Sequence, residues 1–171
     1  HAPTARTTAA LALGDALAMP LLVRKGFREQ DFANLHPGGQ LGKRLLRVDR
    51  LMKTGDQVPI VPPDTPLREV VDIISAKQLG MTCVSDLENE LIGVITDGDL
   101  RRHLFEKNDL SSMTAADIMT EKPITIDASS LAAQALNLLE KRRVTSLVVV
   151  DDNNRIAGVV HLHDLWRTEL F

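Results

Sequence analysis

The sequence predicts an α/β (α+β) chain: two pseudo-symmetrically packed β-α-β-β-α repeats behind a helical leader. Three observations carry this. From about residue 48 the chain repeats itself: Met52 aligns with Met119, Leu67 with Leu131, Val84 with Val148, Gly93-Val94 with Gly158-Val159, and Asp99-Leu100 with Asp164-Leu165. The offset drifts only from 67 to 64 to 65, so the copies differ by small loop changes. Within each copy, apolar residues switch between helical spacing and short continuous runs bounded by turn residues. A unit of roughly 60 residues is marginal alone, so two copies should share a core.

In chain order, residues 3–25 read as a helix. Thr7 or Thr8 can cap it, and Ala9 to Val23 is an Ala/Leu-rich stretch broken by Gly14 and Asp15. It is apolar almost all round and is expected to be buried. Pro20 predicts a kink or an end. Residues 31–47 read as a loop around His36-Pro37-Gly38-Gly39 followed by a short basic amphipathic stretch. Each repeat then opens on a short strand (Pro59–Val61; Pro123–Ile126). A helix follows, with Leu67, Val70, Val71 and Ile74 in the first copy and Leu131, Ala135 and Leu138 in the second. Thr65-Pro66 and Ser129 are start signals for these helices. Two strands come next, Thr82–Ser85 with Leu91–Ile95 and Leu147–Val150 with Ile156–Val160, joined by the turns Leu87-Glu88-Asn89 and Asp151–Asn154. A last helix begins near Asp97 and near Leu162. The predicted organisation is a leader over 1–47, one repeat over 48–110 and another over 111–171.

Composition narrows the function. Of 171 residues, 44% are hydrophobic and 25% charged, with a net charge of −3, which disfavours a nucleic-acid binder that lives on phosphate neutralisation. Aromatics are 3% with no tyrosine, so a base-stacking platform is unexpected. No run approaches the ~18 apolar residues of a membrane span, and no membrane partner is expected. One cysteine, Cys83, excludes an intrachain disulfide and fits a reducing, cytoplasmic setting. The chain starts at His1 and reads as a piece of a longer protein. Arg24 to Lys53 holds eight Lys/Arg against three acids, which reads as a solvated surface or as a patch for an anion or a neighbouring subunit.

The stretch Gly93-Val94-Ile95-Thr96-Asp97-Gly98-Asp99 and its second copy Gly158-Val159-Val160-His161-Leu162-His163-Asp164 resemble the closing motif of a CBS-domain pair, or Bateman module. His161 stands where Thr or Ser is usual. The leader, with Gly14-Asp15-Ala16-Leu17-Ala18 and His36-Pro37-Gly38-Gly39-Gln40-Leu41-Gly42, resembles the end of the sugar-isomerase (SIS) domain of D-arabinose 5-phosphate isomerases, although Arg6 stands where that family has Ser. The resemblance implies an aldose–ketose isomerase interconverting D-ribulose 5-phosphate and D-arabinose 5-phosphate for Kdo and lipopolysaccharide synthesis. It places the family's catalytic histidine at His36, whose pKa range suits proton transfer; the alternative is a loop histidine capping a nearby helix. The phosphate loop and acidic partners of a SIS domain would lie upstream, so this stretch alone is expected to be inactive.

The CBS resemblance implies a regulatory nucleotide in the cleft between the repeats. An ionised Asp accepts ribose hydroxyls, and a Thr hydroxyl with a helix N-terminus suits phosphate. One expected site uses Val94, Thr96 and Asp99, with Met81 and Thr82 nearby, Arg143 and Val144 across the cleft, and Arg101 and Arg102 close in sequence. The pseudo-symmetric second site uses Val159, His161 and Asp164 with Thr145, Ser146, Leu79 and Gly80. The first is favoured because it keeps both Thr and Asp. Thr96-x-x-Asp99 is equally a capping box, which explains both residues without a ligand. His161 and His163 resemble a metal pair, but no third ligand sits at useful spacing, so no metal is assigned. Cys83 reads as packing, and Trp166 as packing or a dimer contact. The nucleotide implied by the family's pathway is the end product CMP-Kdo, with AMP or ATP as competitors; no other cofactor is required. CBS pairs commonly form dimers and SIS enzymes tetramers, so a homo-oligomer is expected. A structural dimerisation module with an empty cleft is the remaining alternative.

Overall fold

The computed structural model describes residues 5–28, 31, 45–106 and 112–168. The chain divides into two units, residues 1–45 and 46–171.

The first unit contains α1 (Ala5–Arg24). It runs through Pro20, because the turn beyond closes with Lys25 N–H donating to the Leu21 carbonyl at 3.0 Å. It stops at Gly26, whose φ of 69° permits paired bonds from Gly26 N to Val23 O and from Phe27 N to Leu22 O. None of its residues is buried, contrary to the expectation from its all-round apolar surface. It is also long and apolar enough to cross a membrane by length and composition, 20 residues with a mean hydropathy of 1.3 in an 18-residue window. Gly14 and Asp15 interrupt the apolar stretch without breaking the helix, so the helix as a whole is apolar over a greater length than any single run suggests.

The second unit holds the repeats. The first comprises β1 (Ile60–Val61), α2 (Leu67–Lys77), β2 (Met81–Ser85), β3 (Leu91–Thr96) and α3 (Asp97–Glu106). A short helix α4 (Ala115–Ile118) and strand β4 (Thr120–Glu121) lead into the second, which comprises β5 (Thr125–Asp127), α5 (Ala132–Arg142), β6 (Ser146–Val150), β7 (Ile156–His161) and α6 (Leu162–Trp166). Each first strand runs parallel to the central one, and the hairpin strands are antiparallel, with a bulge at Val84/Ser85 and its counterpart at Val149/Val150. Helices α2 and α5 both end on a residue in the left-handed region, Gln78 (φ 56°) and Arg143 (φ 55°).

The start signals behave differently from expectation. Pro66 itself precedes α2, and no side chain caps it. Leu131 precedes α5, with Gln134 Oε1 accepting from Leu131 N at 2.9 Å. Ser129 lies in the turn before, where its N–H donates to Asp127. The hairpin turns match the reading. Asp86 Oδ1 accepts from Glu88 N and Glu90 N, and Asp151 Oδ1 from Asn153 N and Arg155 N. Asn89 and Asn154 take the positive φ that asparagine tolerates (65° and 59°). Each then donates across to the other repeat, Asn89 Nδ2 to Ile156 O at 3.0 Å and Asn154 Nδ2 to Leu91 O at 2.9 Å.

The repeats exchange their leading segments. Strand β4 precedes the second repeat in sequence, yet it pairs with β3 of the first, Val94 opposite Thr120. Reciprocally, Lys53 bridges Val159 of the second repeat, while Val48 N donates to Ser130 O and Ala132 N to Leu46 O. The cores follow: Val48 packs with Leu136, Leu139, Val149 and Leu165, whereas Met113, Ala115 and Ile118 pack with Val70, Ile74, Val84 and Ile95. A third cluster joins the two sheets through Cys83, Met81, Val94, Val148 and Val159. Burial of this apolar surface, at about 25 cal/mol per Å², holds the copies together.

Candidate functional site

The exchange leaves a cleft of about 540 Å³ at the C-terminal end of β3, where both repeats contribute walls. Its apolar floor is Met81, Val94 and Val148. Thr96, Asp97, Gly98, Asp99 and Arg101 form the wall at the start of α3; Thr120, Lys122, Pro123 and Ile124 form the wall after β4. Gly80 closes one corner, and the turn Arg143, Val144, Thr145 and Ser146 between α5 and β6 closes the other.

Asp99 is the buried polar centre, 4% exposed. Its Oδ2 accepts from Thr96 N at 2.9 Å and Thr96 Oγ1 at 2.7 Å, and Thr96 Oγ1 accepts Asp99 N at 3.3 Å. The capping box anticipated from sequence is therefore built. It uses one carboxylate oxygen. The other, Oδ1, accepts from Arg102 Nη1 at 3.0 Å and Thr120 Oγ1 at 3.3 Å. Burial pushes the Asp99 pKa up, but hydrogen bonds from Thr96 and Arg102, with the Arg102 charge, outweigh it and hold the carboxyl below its ordinary value. Asp99 is an ionised acceptor at neutral pH. Arg101, Lys122 and Arg143 set three cations around the cleft against Asp97 and Asp99, so the net field suits an anion with hydroxyl groups.

The structure redistributes the expected site residues. Met81, Val94, Thr96, Asp99, Arg101, Arg143 and Val144 line this one cleft. Thr82 does not: it is fully buried, and its hydroxyl donates to the Cys83 carbonyl at 3.4 Å, because strand alternation turns it away from Met81. Gly80, Thr145 and Ser146, assigned to the second site, line the first cleft instead. Near the axis between the repeats one turn faces both halves: Ser146 Oγ donates to Leu79 O at 3.1 Å. His36 lies outside the described residues. Sequence reading missed Asp97, Gly98, Thr120, Lys122, Pro123, Ile124 and Val148; equivalence of Met119 to Met52 was visible, but that β4 crosses to the other repeat was not.

At the second copy, His161 precedes α6 and its Nδ1 accepts from His163 N at 3.1 Å. Burial first, then the neighbouring His163, depresses its pKa, with Lys53 adding to this and Asp164 opposing it. The His161 and His163 rings meet edge-on at 4.9 Å, and the His163 and Trp166 ring centroids lie 5.6 Å apart. Among the described residues no three His, Cys, Asp or Glu side chains gather as a metal site. Cys83 is buried and its thiol is pushed up to about 12, which makes it a packing residue.

The comparisons with known proteins agree with this architecture. The CBS domain family matches residues 48–106 and 115–165. The curated arabinose 5-phosphate isomerases KdsD of Yersinia pestis and of Escherichia coli K12 are each 46% identical over 167 residues, 97% of this chain and 51% of their own length. The chain thus spans about half the length of these relatives. Among solved structures, CBSX2 in complex with AMP superposes with a TM-score of 0.64 at 24% identity, covering 73% of this chain and 96% of CBSX2. The CBS protein PAE2072 from Pyrobaculum aerophilum, complexed with AMP, does so with 0.62 at 21%, covering 70% and 89%. Two matched segments, two sheets of like strand order and a shared core make this chain a tandem CBS pair, and it belongs to the CBS-domain family.

Proposed function

We propose that this chain is the regulatory part of an arabinose 5-phosphate isomerase and that its first cleft senses a nucleotide, the end product CMP-Kdo. In this reading residues 1–47 are the end of the sugar-isomerase domain, His36 acts only with residues supplied from upstream, and residues 48–110 and 111–171 are the two CBS repeats. The chain alone has no isomerase activity. It works in the cytoplasm as a homo-oligomer, a dimer of CBS pairs within a tetrameric enzyme.

The carrying observation is the ionised, buried Asp99 beside three cations in one cleft. Asp99 Oδ1 is held by the exposed Arg102 side chain and by Thr120 at 3.3 Å, so a ribose hydroxyl binds there by replacing one of them. Arg101, Lys122 and Arg143 then answer a phosphate and a further carboxylate, which CMP-Kdo carries and AMP does not. The likeness to KdsD supports the pathway. The AMP complexes of CBSX2 and PAE2072 support an adenylate as the second reading.

Thermal unfolding against CMP-Kdo, CMP, AMP, ADP and ATP decides between them. A ligand at about 100 times its Kd adds about 2.7 kcal/mol, a rise of roughly 5–10 °C for a chain of this size. A rise with CMP-Kdo that Asp99→Ala removes establishes the end-product sensor. A rise only with adenylates makes it an energy sensor, and no rise with any of them leaves a structural dimerisation module.

A further inference from the structure

The two halves of the pair are equivalent in backbone and unlike in charge. Three superposable backbone landmarks fix the equivalences. Gln78 and Arg143 are both left-handed residues ending a helix, with φ of 56° and 55°. Gly55 and Lys122 both follow an inter-repeat pairing and have φ of 55° and 52°. Lys53 pairs with Val159 as Thr120 pairs with Val94. The hairpin offset places Trp166 at the position of Arg101. The three cations of the first cleft, Arg101, Lys122 and Arg143, therefore correspond to Trp166, Gly55 and Gln78, none of them charged.

One cation does face the second carboxylate, and it is the chain's own. Lys53 Nζ lies 3.4 Å from Asp164 Oδ1, with the Asp164 side chain only 17% exposed. In the first cleft Asp99 Oδ1 is shared by Arg102 Nη1 at 3.0 Å and, at the position equivalent to Lys53, the neutral Thr120 hydroxyl at 3.3 Å, so a ribose hydroxyl there need displace only a neutral group. Lys53 is rooted by two backbone bonds, Lys53 N to Val159 O at 2.8 Å and Val159 N to Lys53 O at 3.0 Å. Asp164 Oδ2 is buried and has no hydrogen-bond partner, so the one oxygen left for a ligand is the one Lys53 holds.

We infer that Lys53 is a built-in occupant of the position beside Asp164, holding the one carboxylate oxygen a ribose hydroxyl could use, so that each chain takes one nucleotide and not two. The stoichiometry rests on the nucleotide reading of the first cleft; the Lys53 contact does not. At the positions equivalent to Arg101, Lys122 and Arg143 a phosphate beside Asp164 meets no cation, and a ribose hydroxyl must displace a primary ammonium from the carboxylate. The asymmetry makes the pair a single-ligand switch rather than a two-ligand counter.

Two measurements test this. Isothermal titration of the chain with CMP-Kdo and with AMP should give one equivalent per chain. Asp99→Ala should weaken it at least tenfold, and Lys53→Met or Asp164→Asn should leave it within threefold. Two equivalents in the unmodified chain, or a single equivalent lost in Asp164→Asn and kept in Asp99→Ala, overturns the inference. NMR titration of the His161 ring needs no nucleotide. Lys53, His163 and Asp164 are the charged groups acting on that ring, so Lys53→Met should move its midpoint upward. An unmoved midpoint shows that Lys53 does not hold the second cleft and overturns the inference by itself. No binding of either probe removes the nucleotide reading, and the His161 midpoint then decides the role of Lys53.

Discussion

Replacing Gly158 by alanine tests the exchange that builds both clefts. A Cβ there would lie 2.5 Å from the Lys53 carbonyl oxygen and 3.0 Å from Met52 Sδ. The carbonyl cannot swing aside, because it accepts Val159 N in the pairing that fixes Lys53. Relief requires the two backbones to part by close to an ångström, stretching both Lys53–Val159 bonds. Overpacking costs about 1–3 kcal/mol, and weakening two backbone bonds about 1 kcal/mol each. Alanine recovers about 0.5–1 kcal/mol of unfolded-chain entropy. The expected loss is about 2–4 kcal/mol, a Tm drop of roughly 6–12 °C at ~3 °C per kcal/mol. Gly93 is the internal control. Its added Cβ would meet only side-chain atoms of Met119, Sδ at 2.7 Å, Cγ at 3.0 Å and Cβ at 3.1 Å, and no backbone, so a shift of that one side chain relieves it. Gly93→Ala should cost about 1 kcal/mol, a drop of roughly 3 °C. Thermal unfolding followed by circular dichroism gives both numbers. Equal drops, or an unharmed Gly158→Ala, would refute the argument that the leading segment is pinned by its backbone.

Further outcomes follow from the same geometry. The lowered pKa of Asp99 means its contribution to stability is present above the unfolded value near 3.9 and is lost as pH falls through the lower folded value. Urea unfolding from pH 7 to 3 should show this acid limb, and Asp99→Asn should flatten it. The depressed pKa of His161 has the same sign: the unfolded chain takes the proton first, so stability falls as pH drops below about 6.5, and His161→Asn should remove that slope between pH 7 and 5. Asn154→Ala deletes the bond to Leu91 O and leaves alanine at a positive φ; about 1–2 kcal/mol should be lost by chemical denaturation. Cys83, buried with its thiol near 12, should resist a thiol reagent at pH 8 in the folded chain and react at once in urea.

The repeat, its strand and helix order and the two hairpin turns were legible in the sequence because they rest on local rules. Apolar spacing sets the helices and strands, Asp86 and Asp151 satisfy their tight turns through their own carboxylates, and Asn89 and Asn154 take the positive φ those turns need. Asp99 and Thr96 were legible too, since a Thr-x-x-Asp box closes within one helical turn. The leader was misjudged where a property of the whole helix decided: Pro20 costs one backbone bond but does not end α1, and Asp15 breaks an apolar run without breaking the helix.

Only the tertiary structure decided which residues share a cleft. Segments 46–53 and 113–121 each pack on the repeat they do not precede, and periodicity carries no record of a partner so far along the chain. That exchange brings Thr120 and Lys122 into the cleft with Asp99, where Gly80, Thr145 and Ser146 also lie. It also sets Lys53 against Asp164 across 111 positions of sequence. The sequence by itself determined a pair of similar repeats; long-range backbone pairing made the surroundings of Asp99 and Asp164 unlike, because each is finished by a segment from outside its own repeat.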